Sequence, residues 1–155
     1  MKNWIEKFSP WIGLISRLVL GGVLFAAGYL KIGALDKSQM AVRAYELLPI
    51  GIANFLGIAL PYVEIAMGIL LIIGAFTKYM AIGSAIIMFA FIVAISQAWA
   101  RGLTIDCGCF GGGGQVAANE TKYLQEIIRD AGLVLLSLFL IRYPVTRYSL
   151  DKSTN

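Results

Sequence analysis

The sequence predicts an all-α integral membrane protein, a four-transmembrane-helix bundle with an extracytoplasmic Cys-Gly-Cys loop. Its composition excludes a soluble fold, because 59% of the 155 residues are hydrophobic and 14% are charged, whereas soluble domains have about 45–50% and about 25%. The mean hydropathy is +0.78, so the chain has more apolar surface than one small soluble core can hide. The net charge of +4 is spread thinly, which argues against disorder and nucleic-acid binding.

Four long apolar stretches define the predicted membrane spans, at about residues 11–31, 51–74, 79–99 and 123–142. A hydrocarbon core of about 30 Å needs about 20 helical residues, and no stretch alternates as a spanning strand would. The predicted connections are a polar loop over 31–46, a turn at 77–78 and a glycine-rich loop over 101–122. The first stretch is too long for the apolar part of a signal peptide. We therefore expect residues 1–155 to form a single transmembrane domain.

The distribution of basic residues predicts the orientation in the membrane. An even number of spans places both termini on one side, together with Lys2, Lys7, Lys78, Arg142, Arg147 and Lys152. The opposite side carries one basic residue fewer, namely Lys31, Lys37, Arg43, Arg101 and Lys122. By the positive-inside rule, this difference favours cytoplasmic termini and an extracytoplasmic cysteine loop, where thiols are readily oxidised.

The chain has no histidine and two cysteines, Cys107 and Cys109. We expect no metal or haem, since histidine is the commonest ligand and a closed zinc site needs four ligands. A Cys107–Cys109 disulfide would stabilise the fold by only about 1.6 kcal/mol through loop entropy, before the cost of strain is subtracted. Strained disulfides also exchange readily. Thiol–disulfide exchange is the favoured interpretation. An inert structural disulfide and a soft metal ion shared with a partner remain alternatives. Arg101 and Lys31 would favour a nearby thiolate, whereas Asp106 would oppose it.

Several ionisable side chains fall inside the predicted spans. An unpaired charge near the membrane centre costs about 2.5–3.5 kcal/mol, so these groups should pair. At about 1.5 Å per residue, Glu64 and Arg129 lie at similar depths and are predicted to pair. Lys31 is expected beside Asp130, and Arg17 is expected to extend towards the cytoplasmic surface. The pairs either hold the bundle together or make Glu64 and Asp130 part of a proton path beneath the cysteine loop.

A set of motifs in a fixed order resembles a known family. The motifs are Ala27-Gly-Tyr-Leu-Lys31, Ala44-Tyr-Glu-Leu-Leu-Pro49, Leu60-Pro-Tyr-Val-Glu64, Asp106-Cys-Gly-Cys-Phe-Gly111 and Arg129-Asp130. With these motifs, over about residues 11–142, the chain resembles the DoxX-like membrane proteins and most closely the MauE branch, named for methylamine utilisation. The resemblance implies a multi-pass, four-helix protein of the bacterial cytoplasmic (inner) membrane.

The resemblance also implies a function. Proteins of this kind are associated with disulfide formation in periplasmic clients, together with a thioredoxin-like partner, and their wider relatives are linked to quinone. Cys107 and Cys109 become the redox pair. The resemblance places Lys31, Glu64, Arg129 and Asp130 in a polar cluster beneath them. Asp106 and Arg101, from the loop itself, complete the predicted supporting polar and proton-handling residues. The chain lacks the second cysteine pair that quinone-linked thiol oxidases of other families commonly carry. The alternatives are a non-catalytic DoxX-like subunit or assembly factor of a respiratory or sulfur-oxidising membrane complex, and a small transporter.

Overall fold

The computed structural model describes residues 2–106, 114–115 and 121–150. Within these ranges the chain is mostly helical, with one short pair of strands. The elements are α1 (Lys2–Ile32), α2 (Leu35–Ala44), α3 (Ile50–Ile73), α4 (Thr77–Ala100), β1 (Ile105–Asp106), β2 (Gly114–Gln115) and α5 (Tyr123–Arg142). The predicted redox residues Cys107 and Cys109 lie outside the described ranges.

Three of the described helices, α1, α3 and α4, are long and apolar enough to cross a membrane. The predicted helical membrane protein is therefore confirmed in this coarser form. Helix α5 has 20 residues, the length of a span, but Glu126, Arg129 and Asp130 fall within its first half. These three charged residues make α5 less apolar than α1, α3 and α4, so a fourth span stays a prediction.

The segment between the first two spans is helical, where the sequence predicted a polar loop. Its helix α2 packs against α3 through small residues. The Ser38 hydroxyl donates a hydrogen bond to the Gly57 carbonyl oxygen at 2.7 Å, and a Cβ at Gly57 would lie 2.6 Å from the Gln39 Cα. The low hydropathy of α2 concealed this contact, because serine and glycine carry no hydrophobic periodicity.

The core of the bundle forms where α1 packs on α3 and α4 packs on α5. Helices α1 and α3 approach closely at glycines, since a Cβ at Gly28 would lie 2.6 Å from the Pro61 carbonyl oxygen. The buried apolar side chains of this core are Leu20, Leu24, Met67, Leu71, Ala81, Met88, Leu133 and Leu140. This close approach allows a side chain at the end of α1 to reach α3.

The segment after α5 folds back against α1 and binds Arg17. The Arg17 guanidinium donates to the Thr146 hydroxyl at 2.8 Å and to the Tyr148 carbonyl oxygen at 3.1 Å. The Arg147 backbone N–H also donates to the Pro10 carbonyl oxygen at 3.2 Å. The expected extension of Arg17 to the membrane surface is therefore wrong: the residue is 1% exposed, because the polar tail supplies its acceptors inside the protein.

Candidate functional site

Tyr123 anchors the backbone that leads into the predicted cysteine loop. Its buried hydroxyl, in the first residue of α5, donates to the Leu103 carbonyl oxygen and accepts the Ile105 backbone N–H at 3.1 Å. Next along the chain, Asp106 pairs with Gly114 in the β1–β2 ladder. The described residues on both sides of positions 107–113 are therefore held next to each other.

Arg101 lies with this anchored backbone. Its guanidinium donates to the Tyr45 carbonyl oxygen at 3.2 Å and to the Gln97 side-chain oxygen at 3.0 Å. It also forms an ion pair with Glu46 at 3.2 Å, in which the two side chains are 44% and 55% exposed. Arg101 thus ties the end of α4 to the segment after α2, and its ion pair is at the surface.

Lys31 and Glu64 form a buried ion pair between α1 and α3. The Lys31 ammonium donates to both Glu64 carboxylate oxygens, at 2.8 and 2.9 Å, and the side chains are 5% and 1% exposed. The ammonium also lies 5.4 Å from the ring centroid of Phe91 on α4. Both carboxylate oxygens of Glu64 are thereby bound by a charged donor, which offsets the cost of burying the pair.

The predicted pairing of Glu64 with Arg129 is wrong. Arg129 instead forms an ion pair with its chain neighbour Asp130, donating through Nε and Nη2 to the same oxygen, Oδ1, at 3.0 and 2.9 Å. Counting depth along the helices did not anticipate the close α1–α3 contact, which brings Lys31 to Glu64. Lys31 also acts electrostatically on Asp130, the neighbour that the sequence suggested.

The two ion pairs meet at a small cavity in the bundle. Glu64, Arg129 and Asp130 line it, together with apolar residues of α1, α4 and α5, and its volume is about 10 Å³. The structure therefore brings Lys31, Glu64, Arg129 and Asp130 together in one cluster, in which three side chains are buried and that of Arg129 is 30% exposed. Asp106 and Arg101 lie with the anchored backbone instead.

An apolar groove of about 330 Å³ lies beside this cluster and was not found from the sequence. It runs between α3 and α4, where Leu56, Leu60 and Ile87 line it, and Phe91 lines both the groove and the cavity. Tyr45 lies at the groove, and burial raises the pKa of its hydroxyl well above the ordinary value, so the O–H stays protonated. Leucines that face a groove and leucines that face lipid look the same in a sequence.

The family of the chain follows from a comparison with known sequences. The family model described as "Methylamine utilisation protein MauE" matches residues 9–143, most of the chain. This chain belongs to the MauE family. The matched region contains the charged cluster, the anchoring Tyr123 and both cysteines, whereas Thr146 and Tyr148, the partners of Arg17, follow it.

A curated relative supports membership of the MauE family. The chain is 30% identical over 123 residues to the methylamine utilization protein MauE of Paracoccus denitrificans. These residues are 79% of this chain and 66% of the relative, so the chain covers slightly less than two thirds of that protein. No solved structure matches the chain.

The variant Tyr123→Phe tests whether the Tyr123 hydroxyl holds the backbone of Leu103 and Ile105 in this MauE-family chain. Removing the hydroxyl leaves the buried Ile105 N–H without its acceptor, and we expect the free energy of unfolding to fall by about 1–3 kcal/mol. Denaturant unfolding in detergent micelles measures this change. Tyr62→Phe, at an exposed tyrosine on α3, is the matched control and should leave stability unchanged. Equal stabilities of the two variants would contradict an anchoring role.

Proposed function

We propose that this MauE-family protein is a membrane thiol–disulfide oxidoreductase that uses Cys107 and Cys109. It exchanges electrons with a periplasmic thioredoxin-like protein and passes them to a membrane quinone. The observation that carries the proposal is that Tyr123, which anchors the backbone before the cysteines, and the buried Asp130 lie on the same helix, α5. Tyr123 holds the backbone beside the cysteine segment, and Asp130 lies about two turns, or roughly 10 Å, further along α5.

The thiol step needs only the cysteine pair and the partner. A thiolate of the reduced partner attacks one sulfur of the Cys107–Cys109 disulfide, which breaks that bond and forms a mixed disulfide. The second thiolate of the partner then attacks the mixed disulfide and releases the reduced cysteine pair. The partner loses two electrons and its two thiol protons. Without histidine in the chain, Glu64 and Asp130 are the acids that we propose to handle those protons.

The apolar groove fits a quinone. Its volume of about 330 Å³ lies at the lower end of small-molecule sites, and it lies on two of the apolar helices that can cross a membrane. Leu56, Leu60 and Ile87 would hold an isoprenoid chain, and Phe91 and the protonated Tyr45 would contact the ring. A bound quinone supplies an acceptor for two electrons and two protons.

The proposed setting is the bacterial cytoplasmic membrane. One transmembrane domain of four spans, with α5 as the fourth, would place both termini in the cytoplasm and the cysteine segment in the periplasm. Following the name of the matched relative, we propose that the protein serves methylamine utilisation. The wider DoxX-like relationship belongs to the same proposal and rests on the motifs of the sequence.

Thiol alkylation from each side of the membrane tests the orientation and the redox role together. A membrane-impermeant maleimide should label Cys107 and Cys109 in intact spheroplasts after reduction, and much less before it. Inverted vesicles should show no labelling. Labelling only from the cytoplasmic side would contradict both the orientation and the periplasmic partner.

A single introduced cysteine provides the matched control for this labelling. Lys78 is exposed in the first turn of α4, on the side predicted to be cytoplasmic. In a chain carrying Cys107→Ser and Cys109→Ser, the Lys78→Cys variant should react in inverted vesicles only. Labelling of this variant in intact spheroplasts would contradict the predicted topology without bearing on the redox chemistry.

A further inference from the structure

Asp130 has one carboxylate oxygen that the described protein groups leave unsatisfied. Its Oδ1 accepts two hydrogen bonds from Arg129, whereas Oδ2 has no hydrogen-bond partner among the described residues. The side chain is 2% exposed, so bulk solvent does not supply the missing bond. Buried polar atoms are almost always bonded, to protein or to an ordered water. The buried Oδ2 atom therefore needs a hydrogen-bond donor other than the described protein groups.

The cavity beside Asp130 has the size of a water site, and three charged residues interrupt its otherwise apolar lining. Its volume of about 10 Å³ is close to the smallest that holds one water molecule. A buried water needs two to four polar partners, and Glu64, Arg129 and Asp130 all line this cavity. A larger ligand would not fit, and an apolar cavity of the same size would stay dry.

We infer that one buried water occupies this cavity and joins the two ion pairs. The water donates one hydrogen bond to Asp130 Oδ2 and one to the Glu64 carboxylate, and it accepts one from the Arg129 guanidinium. Lys31 and Glu64, from α1 and α3, thereby share a network with Arg129 and Asp130 on α5. Binding of the water rests on the geometry alone. Its use as a bridge for protons between Glu64 and Asp130 rests on the proposed function.

Solid-state NMR of the whole protein in lipid bilayers tests the water site, with water itself as the probe. The chain contains four aspartates, Asp36, Asp106, Asp130 and Asp151, so a sample labelled with carbon-13 in aspartate gives few carboxyl signals. The Asp130→Asn variant identifies the Asp130 signal. We expect polarisation from water protons to reach the Asp130 carboxyl carbon, although the residue is buried in the bundle.

A matched pair of variants on α1 removes or keeps the water. Ala27 is 6% exposed and lines the cavity, so the added methyl groups of Ala27→Val fill the space. Ala26, its neighbour, is exposed on the outside of the helix. We expect the water-to-Asp130 transfer to fall several-fold in Ala27→Val and to stay unchanged in Ala26→Val. Val23→Ile, which extends a smaller group towards the same cavity, provides a second filled variant if Ala27→Val does not fold.

Polarisation transfer from water protons to Asp130 that is equally fast in the wild type and in the filled variants would overturn the water site. The exchangeable protons of Arg129 remain in every variant, so they cannot produce the expected difference. The readout is also independent of thiol chemistry. A water-dependent signal in a protein that oxidises no partner would contradict the proposed function alone, and a missing signal in an active protein would contradict the water site alone.

Discussion

Cys107→Ser and Cys109→Ser are each expected to abolish oxidation of a reduced thioredoxin-like protein. A single remaining thiol cannot form the intramolecular disulfide that the partner attacks, so the rate should fall to the uncatalysed background. Serine keeps nearly the same side-chain size, which limits the effect to the loss of sulfur chemistry. The measurement is the initial rate of partner oxidation by the purified protein in liposomes that contain quinone.

The two cysteine variants should differ in one respect. The variant that keeps the sulfur attacked by the partner should form a mixed disulfide when it is mixed with the oxidised partner. Its thiolate opens the partner's disulfide and releases one partner thiolate, and the second cysteine that would complete the exchange is absent. This species is visible on a non-reducing gel. Thr104→Ser, at an exposed position before the cysteines, is the matched control and should keep full activity. Full activity in both cysteine variants would remove the proposed function. Retained co-purification with a larger membrane complex would then favour the assembly-factor alternative.

Breaking the buried ion pair between α1 and α3 should have the largest effect on stability. In Lys31→Met the Glu64 carboxylate stays buried without its charged donor, and we expect the free energy of unfolding to fall by about 3–5 kcal/mol. Denaturant unfolding in detergent micelles measures this loss. The double variant Lys31→Met/Glu64→Leu should recover most of it, since neither charge is then buried.

The surface ion pair of the same chain is the natural control. In the Arg101–Glu46 pair the side chains are 44% and 55% exposed, so Glu46→Gln should cost less than about 1 kcal/mol. A Lys31→Met variant that loses no more stability than Glu46→Gln would show that the buried pair does not hold α1 to α3. A double variant as unstable as Lys31→Met would instead show that packing, and not the unpaired carboxylate, causes the loss.

The sequence contained enough information to predict the apolar helices and the side chains that gather in the bundle. A long run of apolar residues determines a membrane span almost independently of its surroundings, which is why α1, α3 and α4 agree with prediction. The depth of a residue in the membrane can also be counted along its helix. The four residues that were expected at similar depths do lie close together, namely Lys31, Glu64, Arg129 and Asp130. These features depend mainly on the local chain and on the thickness of the bilayer.

The features that depend on lateral packing were predicted poorly. Depth alone does not tell which helices touch, so the partner of Glu64 was assigned to α5, whereas the glycine contact of α1 with α3 brings Lys31 to it. Helix α2 was missed because its contacts with α3 use small polar residues. The acceptors of Arg17 lie far away in the chain, on a tail whose composition gives no indication of where it folds.

The contact between Arg17 and the tail has a consequence for biosynthesis. The Thr146 hydroxyl that binds the guanidinium lies 129 residues after Arg17, so α1 must enter the membrane long before its partner leaves the ribosome. Until then the arginine depends on water or on lipid headgroups near the membrane surface. The tail therefore completes the burial of a charge introduced by the first helix. Nascent chains that stop before Thr146 would lack these two acceptors of the Arg17 guanidinium.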